Sequence, residues 1–151
     1  RTPTLEHYST GTIVIPDDIV IDPKRLIAYF SRNKITRVMF TPSQLRNILD
    51  YPNLDLETSF ASLRHLYLCG EVVPSSLTKR FETRVPFATL WNNYSTWESL
   101  DVSYAKLPYD TSLTISRFAP AGKLAPGVTC RVVDSKTLKP VCSLFHSLYN
   151  I

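Results

Sequence analysis

Short apolar runs, rich in β-branched and aromatic residues, alternate along the chain with segments of helical periodicity as far as about residue 106. Runs of this length, bounded by proline, glycine or charged residues, are typical of buried strands. The first run, for example, ends at Pro16 and a pair of aspartates. The pattern predicts strands at residues 12–15, 37–40, 65–69, 89–93 and 102–106.

Helices are predicted between these runs. Asp22-Pro23 and Thr41-Pro42 each combine an N-cap residue with a proline at the first helical position. A third helix is predicted from Pro74 to about Arg84. The apolar positions recur at helical spacing and should face inward; they are Leu26, Ile27, Phe30, Leu45, Ile48, Leu49, Leu77 and Phe81.

The order of the elements predicts the fold class. Strand, helix and strand follow one another repeatedly, which favours a parallel sheet covered by helices. We therefore expect an α/β fold of three layers, with a mostly parallel sheet flanked by helices. From about residue 107 prolines and glycines become frequent, and residues 128–133 form the clear strand candidate there. This predicts a β-rich C-terminal part.

Composition excludes several classes of protein. Hydrophobic residues make up 44% and charged residues 20%, which is typical of a folded domain. The net charge of +4 is scattered rather than clustered, which argues against a nucleic-acid partner. No apolar run reaches the roughly 18 residues of a membrane helix, so we expect no membrane partner. The cysteines form no C-x-x-C pair, which favours reduced thiols and a cytoplasmic location; they are Cys69, Cys130 and Cys142.

The densest group of polar side chains runs from Asn92 to Glu98, after the predicted fourth strand. Ligands bind beyond the carboxyl ends of the strands in open parallel sheets. Tyr94 offers a flat face for an adenine, and the amides of Asn92 and Asn93 offer hydrogen bonds for its edge. Glu98 offers the carboxylate that a phosphate-bound Mg²⁺ needs. The same residue types are also typical of a capped turn, and composition alone favours that interpretation.

A second candidate segment, Leu68–Val72, follows the third predicted strand and contains Gly70. Glycine allows the backbone to approach a ligand closely, although an ordinary strand-to-loop glycine would look the same. The sequence contains no G-x-x-x-x-G-K-[ST], no G-x-G-x-x-G and no G-x-S-x-G. A P-loop, a dinucleotide fingerprint and a hydrolase nucleophile elbow are therefore not supported.

Five landmarks occur in order between about residues 11 and 141: G-T-I-V-I-P, R-V-M-F-T-P-S-Q-L, L-R-H-L-Y-L-C-G-E-V-V, N-N-Y-S-T-W-E and G-K-L-A-P-G-V-T-C-R-V-V-D. Together they resemble adenylation domains of the adenylate-forming (AMP-binding) superfamily, of nonribosomal-peptide-synthetase and aminoadipate-reductase-like type. The resemblance implies ATP-dependent activation of an amino or other carboxylic acid as acyl-AMP, with ATP and Mg²⁺ as cofactors. It also implies transfer to the phosphopantetheine thiol of a carrier-protein domain.

The resemblance implies roles for individual residues. Those that would bind the nucleotide are Gly70, Glu71, Val72, Asn92, Asn93, Tyr94 and Ser95. Those that would line the acid pocket are Phe40, Tyr67, Cys69, Asn93, Asp101 and Val102. Glu98 would hold Mg²⁺. Thr96 would join it in catalysis, because Trp97 stands where the family has its phosphate-contacting threonine.

Other landmarks of the family do not occur in the sequence: the glycine-, serine- and threonine-rich phosphate loop, the S-T-G-D segment, and the lid with its catalytic lysine. We therefore expect residues 1–151 to be an internal fragment of a larger adenylation domain, inactive alone. A fragment of an acyl-CoA ligase and a non-catalytic or non-functional gene-model fragment are the alternatives.

Overall fold

A five-stranded sheet organises the computed structural model, which describes residues 11–108 and 117–141. The strands lie side by side in sequence order: β1 (Arg37–Phe40), β2 (His65–Leu68), β3 (Thr89–Thr96), β4 (Leu100–Leu107) and β5 (Lys123–Leu124). β1, β2 and β3 are parallel, whereas β4 and β5 each run antiparallel to the preceding strand. The predicted α/β class with a mostly parallel sheet is confirmed, and the β3–β4 hairpin adds the antiparallel part.

The helices of these residues are α1 (Asp17–Val20), α2 (Pro23–Arg32), α3 (Pro42–Asp50), α4 (Leu56–Ser59) and α5 (Ser75–Arg84). They connect the strands in the order that the sequence predicts, with α3 and α4 between β1 and β2 and α5 between β2 and β3. Within the described ranges, no helix has the length and apolar character needed to cross a bilayer.

Two helices begin at the caps that the sequence predicts. The Asp22 carboxylate accepts from the amides of Lys24 and Arg25 at 2.9 and 3.2 Å, which satisfies donors that the first turn of α2 leaves open. Thr41 and Gln44 form a reciprocal capping box at the start of α3. These local contacts orient the helices against the sheet.

The hydrophobic core lies on one face of the sheet. Leu66, Leu68 and Leu90 point into it and are at most 1% exposed, together with the inward residues of α2, α3 and α5. Parallel crossovers are right-handed, so successive connections that add strands in one direction place their helices on the same face. Of the three layers predicted, the described residues therefore form two, a sheet and one layer of helices.

The predicted strand at residues 12–15 is wrong. These residues adopt no regular secondary structure, and the Val14 side chain is 84% exposed. The segment contacts α2 instead, where the Tyr29 hydroxyl donates to the Val14 carbonyl at 3.2 Å and Ile15 packs against the core. A strand needs a neighbour for its backbone hydrogen bonds, and no strand of the described sheet pairs with this segment.

The predicted strand at residues 128–133 is also wrong. Apart from an isolated bridge between Val133 and Pro140, these residues pair with no strand, and most of their side chains are exposed. The strand that joins the sheet is β5, at Lys123–Leu124. β5 is short because Pro126 and Gly127 follow it and turn the chain away from β4. Cys142 lies outside the described residues.

Candidate functional site

A cavity of about 370 Å³ lies beyond the carboxyl end of β2 and beside the second half of β3. It brings together the two candidate segments, because residues 70–72 and 92–95 both line it. Parallel neighbouring strands end at the same edge of a sheet, so the segments at their carboxyl ends converge there. The other lining residues are Val73, Ala119 and Ala121.

The loop after β2 turns at Gly70, whose φ of +85° lies in the left-handed region that favours glycine. The next residue anchors this loop to α3. The Glu71 carboxylate accepts hydrogen bonds from the Ser43 amide at 3.2 Å and from the Ser43 hydroxyl. Ser43 lies in the first turn of α3, where open amides and the helix dipole favour a negative charge. The side chain of Val72 is exposed beside the cavity.

The polar segment is a strand for most of its length and not a turn. β3 continues to Thr96, so Asn92, Asn93 and Tyr94 occupy alternating positions of the sheet. The Asn92 amide donates to the Pro120 carbonyl at 2.7 Å, which fixes the far wall of the cavity. Tyr94 is 51% exposed and borders the cavity, so its ring is free to stack on a flat ligand.

Asn93 is the unusual member of this segment. It is only 2% exposed, and its amide nitrogen donates to the Asp101 carboxylate at 2.9 Å. Its amide oxygen is buried and has no hydrogen-bond partner. A buried acceptor without a partner is costly, so such an atom is a candidate to receive a donor from a ligand or a bound water.

The C-terminal part supplies one wall of the cavity, which the sequence analysis missed. The Ala119 amide donates to the Val73 carbonyl at 2.8 Å, and the Ser103 hydroxyl donates to the Ala121 carbonyl at 2.9 Å. Small alanines carry no chemical signal of their own. The signal available in the sequence was the G-K-L-A-P-G landmark, which starts at Gly122 next to this wall.

Glu98 and Thr96 lie at the tip of the β3–β4 hairpin, at its turn of residues 97–99. The Thr96 hydroxyl accepts from the Ser99 amide at 3.1 Å and contacts the Ser99 hydroxyl at 2.7 Å, so it stabilises the turn. Trp97 is 97% exposed. Glu98 is exposed too and does not line the cavity.

The carboxylates available in the described residues determine how a Mg²⁺ ion would be bound. Residues 11–108 and 117–141 contain no group of three or more His, Cys, Asp or Glu side chains able to hold a metal. Mg²⁺ commonly takes one or two protein carboxylates and completes its shell with phosphate oxygens and water. Glu98 as a single carboxylate fits that arrangement with a nucleotide, and does not fit an all-protein metal site.

The residues assigned to the acid pocket divide between the two faces of the sheet. Tyr67, Cys69 and Asn93 lie on the face that no helix of the described residues covers, here called the helix-free face. The Cys69 sulfur contacts the Ser95 hydroxyl there at 2.8 Å. Phe40 lies on the opposite face and stacks on Phe30 in the core. The structure therefore does not bring Phe40 together with the others.

Asp101 and Val102 lie at a β-bulge. In the register of β3 and β4, Tyr94 pairs with Ser103 and Ser95 pairs with Asp101, which leaves Val102 as the extra residue. The bulge lets the Asp101 carboxylate reach back to the Asn93 amide, and the Val102 carbonyl accepts from the Ala125 amide at 2.9 Å.

A second cavity, of about 430 Å³, opens on the helix-free face of the sheet. It is lined by Met39, Tyr67, Trp91 and Tyr104. The rings of Tyr67 and Trp91 are stacked with centroids 6.1 Å apart, and Tyr104 meets Tyr67 edge-on at 6.3 Å. Sequence analysis missed three of the four lining residues. The available signal was the two-residue alternation that puts Trp91 on the same face as Asn93.

Asp101 controls the electrostatics next to this cavity. The Tyr104 hydroxyl and, secondarily, the Asn93 amide donate to its carboxylate and hold the pKa of Asp101 below its usual 3.8. The same hydrogen bond to Asp101 raises the pKa of Tyr104 from 10.0 to about 12. At neutral pH the pair is therefore an ionised carboxylate and a protonated phenol.

Comparison with known proteins matches most of the chain to one family of enzymes. A sequence profile described as AMP-binding enzyme matches residues 7–143. Glycine betaine reductase ATRR of Emericella nidulans is 31% identical over 112 residues, which cover 74% of this chain and 9% of that protein. D-alanine--D-alanyl carrier protein ligase of Staphylococcus haemolyticus is 35% identical over 92 residues, which cover 60% of this chain and 19% of that protein. The chain thus spans less than a fifth of each relative.

Solved structures with the same fold include that of IdnL1, with a TM-score of 0.72 and 21% identity over 84% of this chain and 26% of that one. ATP-bound MatB from Rhodopseudomonas palustris has a TM-score of 0.62 and 20% identity over 80% of this chain and 22% of that one. At these identities the likeness concerns the fold.

Proposed function

Because this chain belongs to the AMP-binding enzyme family, we propose that it is part of a domain that activates an amino or other carboxylic acid with ATP. The product would be an acyl-AMP, and the acyl group would pass to the phosphopantetheine thiol of a carrier protein. The observation that carries the proposal is the cavity at the end of β2 and beside β3, which joins the G-E-V and N-N-Y-S segments and has the exposed Tyr94 ring at its edge.

The residues around this cavity fit a purine nucleotide. Tyr94 offers a half-exposed ring on which an adenine can stack, and the positive φ of Gly70 turns the loop main chain along the cavity. Bound ATP supplies the activated phosphate, which the acid carboxylate attacks as pyrophosphate leaves. In this proposal Glu98 at the hairpin tip would hold Mg²⁺, which would neutralise negative charge on the phosphates, and Thr96 orients the tip through Ser99.

Two relatives support an acid that carries a cationic nitrogen. One is named for D-alanine and its carrier protein, the other for glycine betaine. Both acids carry a positive nitrogen on the carbon next to the carboxylate. The carrier protein in the name of the bacterial relative supports a carrier thiol, rather than free coenzyme A, as the acceptor.

Activity requires more than the residues of this chain. Adenylation depends on positioning the reactants and on neutralising phosphate charge. The family's phosphate loop and lid lysine have no counterpart in this sequence. We expect the 151-residue chain alone to show no acid-dependent ATP–pyrophosphate exchange.

The test is pyrophosphate exchange in a protein that carries this chain within a complete adenylation domain. Glu98→Gln keeps the shape and removes the charge, and should lower exchange at least about 100-fold, roughly 3 kcal/mol of transition-state stabilisation. The matched control is Glu57→Gln, at an exposed position of α4 remote from the cavity, which should leave exchange unchanged. Equal exchange in the wild type and Glu98→Gln would refute the metal assignment.

The acceptor is tested in the same preparation. Offered coenzyme A and a phosphopantetheine-loaded carrier protein, the complete domain should form thioester on the carrier. Thioester on coenzyme A alone would establish the acyl-CoA ligase alternative. No exchange with any acid, in a protein that still binds a partner, would favour a non-catalytic module.

A further inference from the structure

We propose that the cavity on the helix-free face of the sheet seats a trimethylammonium group of the acid substrate, against the rings of Tyr67, Trp91 and Tyr104. The inference rests on the proposed function and names the class of its substrate: a carboxylic acid with a fully methylated ammonium group. Three observations support it: the arrangement of the three rings, the hydrogen bonds that their polar atoms already make, and the negative charge of Asp101.

The strand register builds the aromatic site. Tyr67 and Trp91 are direct neighbours across the parallel pair β2–β3, so their rings stack into a continuous wall. Tyr104 comes from β4, opposite Asn93, and stands at 78° to the Tyr67 ring. Met39, from β1, lines the other side and is 53% exposed. A corner of aromatic rings lets a cation approach more than one negative ring face.

The polar atoms of two of these rings are already hydrogen-bonded to neighbouring side chains. The Trp91 indole N–H donates to the His65 imidazole at 3.3 Å, and the Tyr104 hydroxyl donates to the Asp101 carboxylate. Apart from the Tyr67 hydroxyl, the lining of the cavity is therefore made of aromatic rings and a thioether. A primary ammonium has three N–H donors, of which the Tyr67 hydroxyl can satisfy only one, whereas a trimethylammonium has no N–H to satisfy.

The carboxylate of Asp101 favours a cation over a neutral group of the same shape. It is ionised at neutral pH and bonded to the Tyr104 hydroxyl, so it adds a negative charge at the edge of the aromatic corner. Lys106 is the cross-strand partner of Trp91, and its positive charge disfavours a cation in the cavity. Its side chain is exposed and is not among the residues that line the cavity. The Asp101 carboxylate, in contrast, is hydrogen-bonded directly to the hydroxyl of one of the lining residues, Tyr104.

The test compares two acids of equal shape on the full 151-residue chain without nucleotide. Glycine betaine carries the trimethylammonium group, and tert-butylacetate carries the neutral tert-butyl group in its place. Binding is followed by saturation transfer from the protein to the methyl protons of each acid. We expect glycine betaine to bind about 10-fold more tightly, which corresponds to 1.4 kcal/mol. Equal affinities, or tighter binding of tert-butylacetate, would overturn the proposal.

Variants locate the site. Tyr67→Leu should reduce the preference for glycine betaine at least about 5-fold. Tyr51→Leu, the same change at an exposed loop position after α3, should retain it. If circular dichroism shows that Tyr67→Leu does not fold, Trp91→Leu takes its place, with the same expected loss of preference. Lys106→Met removes the like charge and should raise the preference for glycine betaine over tert-butylacetate, which carries the same carboxylate; a lower preference would sink the proposal.

ATP binding by the same samples and pyrophosphate exchange by the complete domain separate this inference from the proposed function. If ATP binds and Tyr94→Ala weakens it, but the two acids bind equally, the trimethylammonium site is refuted and the adenylation proposal stands. If the preference for glycine betaine is present but Tyr94→Ala leaves pyrophosphate exchange of the complete domain unchanged, the aromatic site is supported and the nucleotide assignment of the first cavity is refuted.

Discussion

The side-chain amide of Asn93 donates a hydrogen bond to the carboxylate of Asp101 at 2.9 Å, across the β-bulge that joins β3 to β4. The same carboxylate accepts from the Tyr104 hydroxyl. Asn93 lines the cavity at the end of β2, and Tyr104 lines the cavity on the helix-free face. Asp101 is therefore the group through which the two cavities are connected.

Replacing Asp101 with Asn should lower the pKa of Tyr104. In the wild type, deprotonation would place a phenolate beside a carboxylate and remove their hydrogen bond, which is why the pKa of Tyr104 is raised from 10.0 to about 12. In Asp101→Asn the repulsion is gone, and Tyr104 should be largely ionised near about pH 11, where it stays protonated in the wild type. NMR of ζ-carbon-labelled tyrosine measures this, with Tyr104→Phe to assign the resonance. An unchanged titration in Asp101→Asn would contradict the contact.

The stability of the protein should depend on pH through the same carboxylate. The pKa of Asp101 is lower in the folded state than its usual 3.8, so its contribution is present above that value and is lost as the pH falls through the folded pKa. We expect the difference in unfolding free energy between wild type and Asp101→Asn to shrink between neutral pH and about pH 3. Because Asp55 and Asp134 also have lowered pKa values, the measurement is this difference and not the wild-type curve alone.

Gly122→Ala should disrupt the wall of the first cavity. An added Cβ would lie 2.0 Å from the Tyr104 carbonyl oxygen, and the φ of +91° is unfavourable for alanine as well. Gly127→Ala is the matched control, since its φ is +82° but a Cβ would meet nothing within 4 Å. We expect Gly127→Ala to cost about 1–2 kcal/mol at most, and Gly122→Ala distinctly more. Urea unfolding gives the two costs, and equal costs would argue against the close approach of the Gly122 backbone to β4.

The two faces of the sheet should respond differently to truncation. Leu66→Ala removes a side chain that is 0% exposed and should cost about 2–5 kcal/mol. Met39→Ala removes a side chain of similar size from the helix-free face, where it is half exposed, and should cost below about 1 kcal/mol. Chemical denaturation of both variants measures this contrast. A large loss in Met39→Ala would mean that the helix-free face is covered in solution.

The capping box at the start of α3 should contribute measurably to the free energy of unfolding. Thr41→Ala removes the hydroxyl that accepts from the Gln44 amide at 3.2 Å, and should cost about 1 kcal/mol. Thr83→Ala is the control at an exposed position inside α5, where alanine is the better helix former and a small change of either sign within about 0.5 kcal/mol is expected. Thermal unfolding distinguishes the two, and equal effects would show that the box is dispensable.

Local signals in the sequence were sufficient for the three longer helices, α2, α3 and α5, but did not reveal the four-residue α1 and α4. Asp22 and Thr41 cap α2 and α3 as predicted, because a cap acts between residues at most three or four apart in the chain. The alternation of strands and helices also predicted the parallel order of β1, β2 and β3, since short crossovers leave few other topologies. The meeting of the Gly70 and Asn92 segments at one sheet edge followed from that order.

The sequence could not predict which strand candidates find a partner in the sheet, or which face of each strand stays open. The run at residues 12–15 has the composition of a strand and lies against α2, because pairing needs a free edge that no local pattern reveals. Phe40 was assigned to the acid pocket and Met39 was not, yet Met39 borders the open cavity and Phe40 is in the core. A slip of one residue reverses every side chain of a strand. The sequence alone thus determined helices α2, α3 and α5 and strands β1 to β4. Tertiary packing decided that residues 12–15 and 128–133 stay outside the sheet, which strand face remains open and which residues share a cavity.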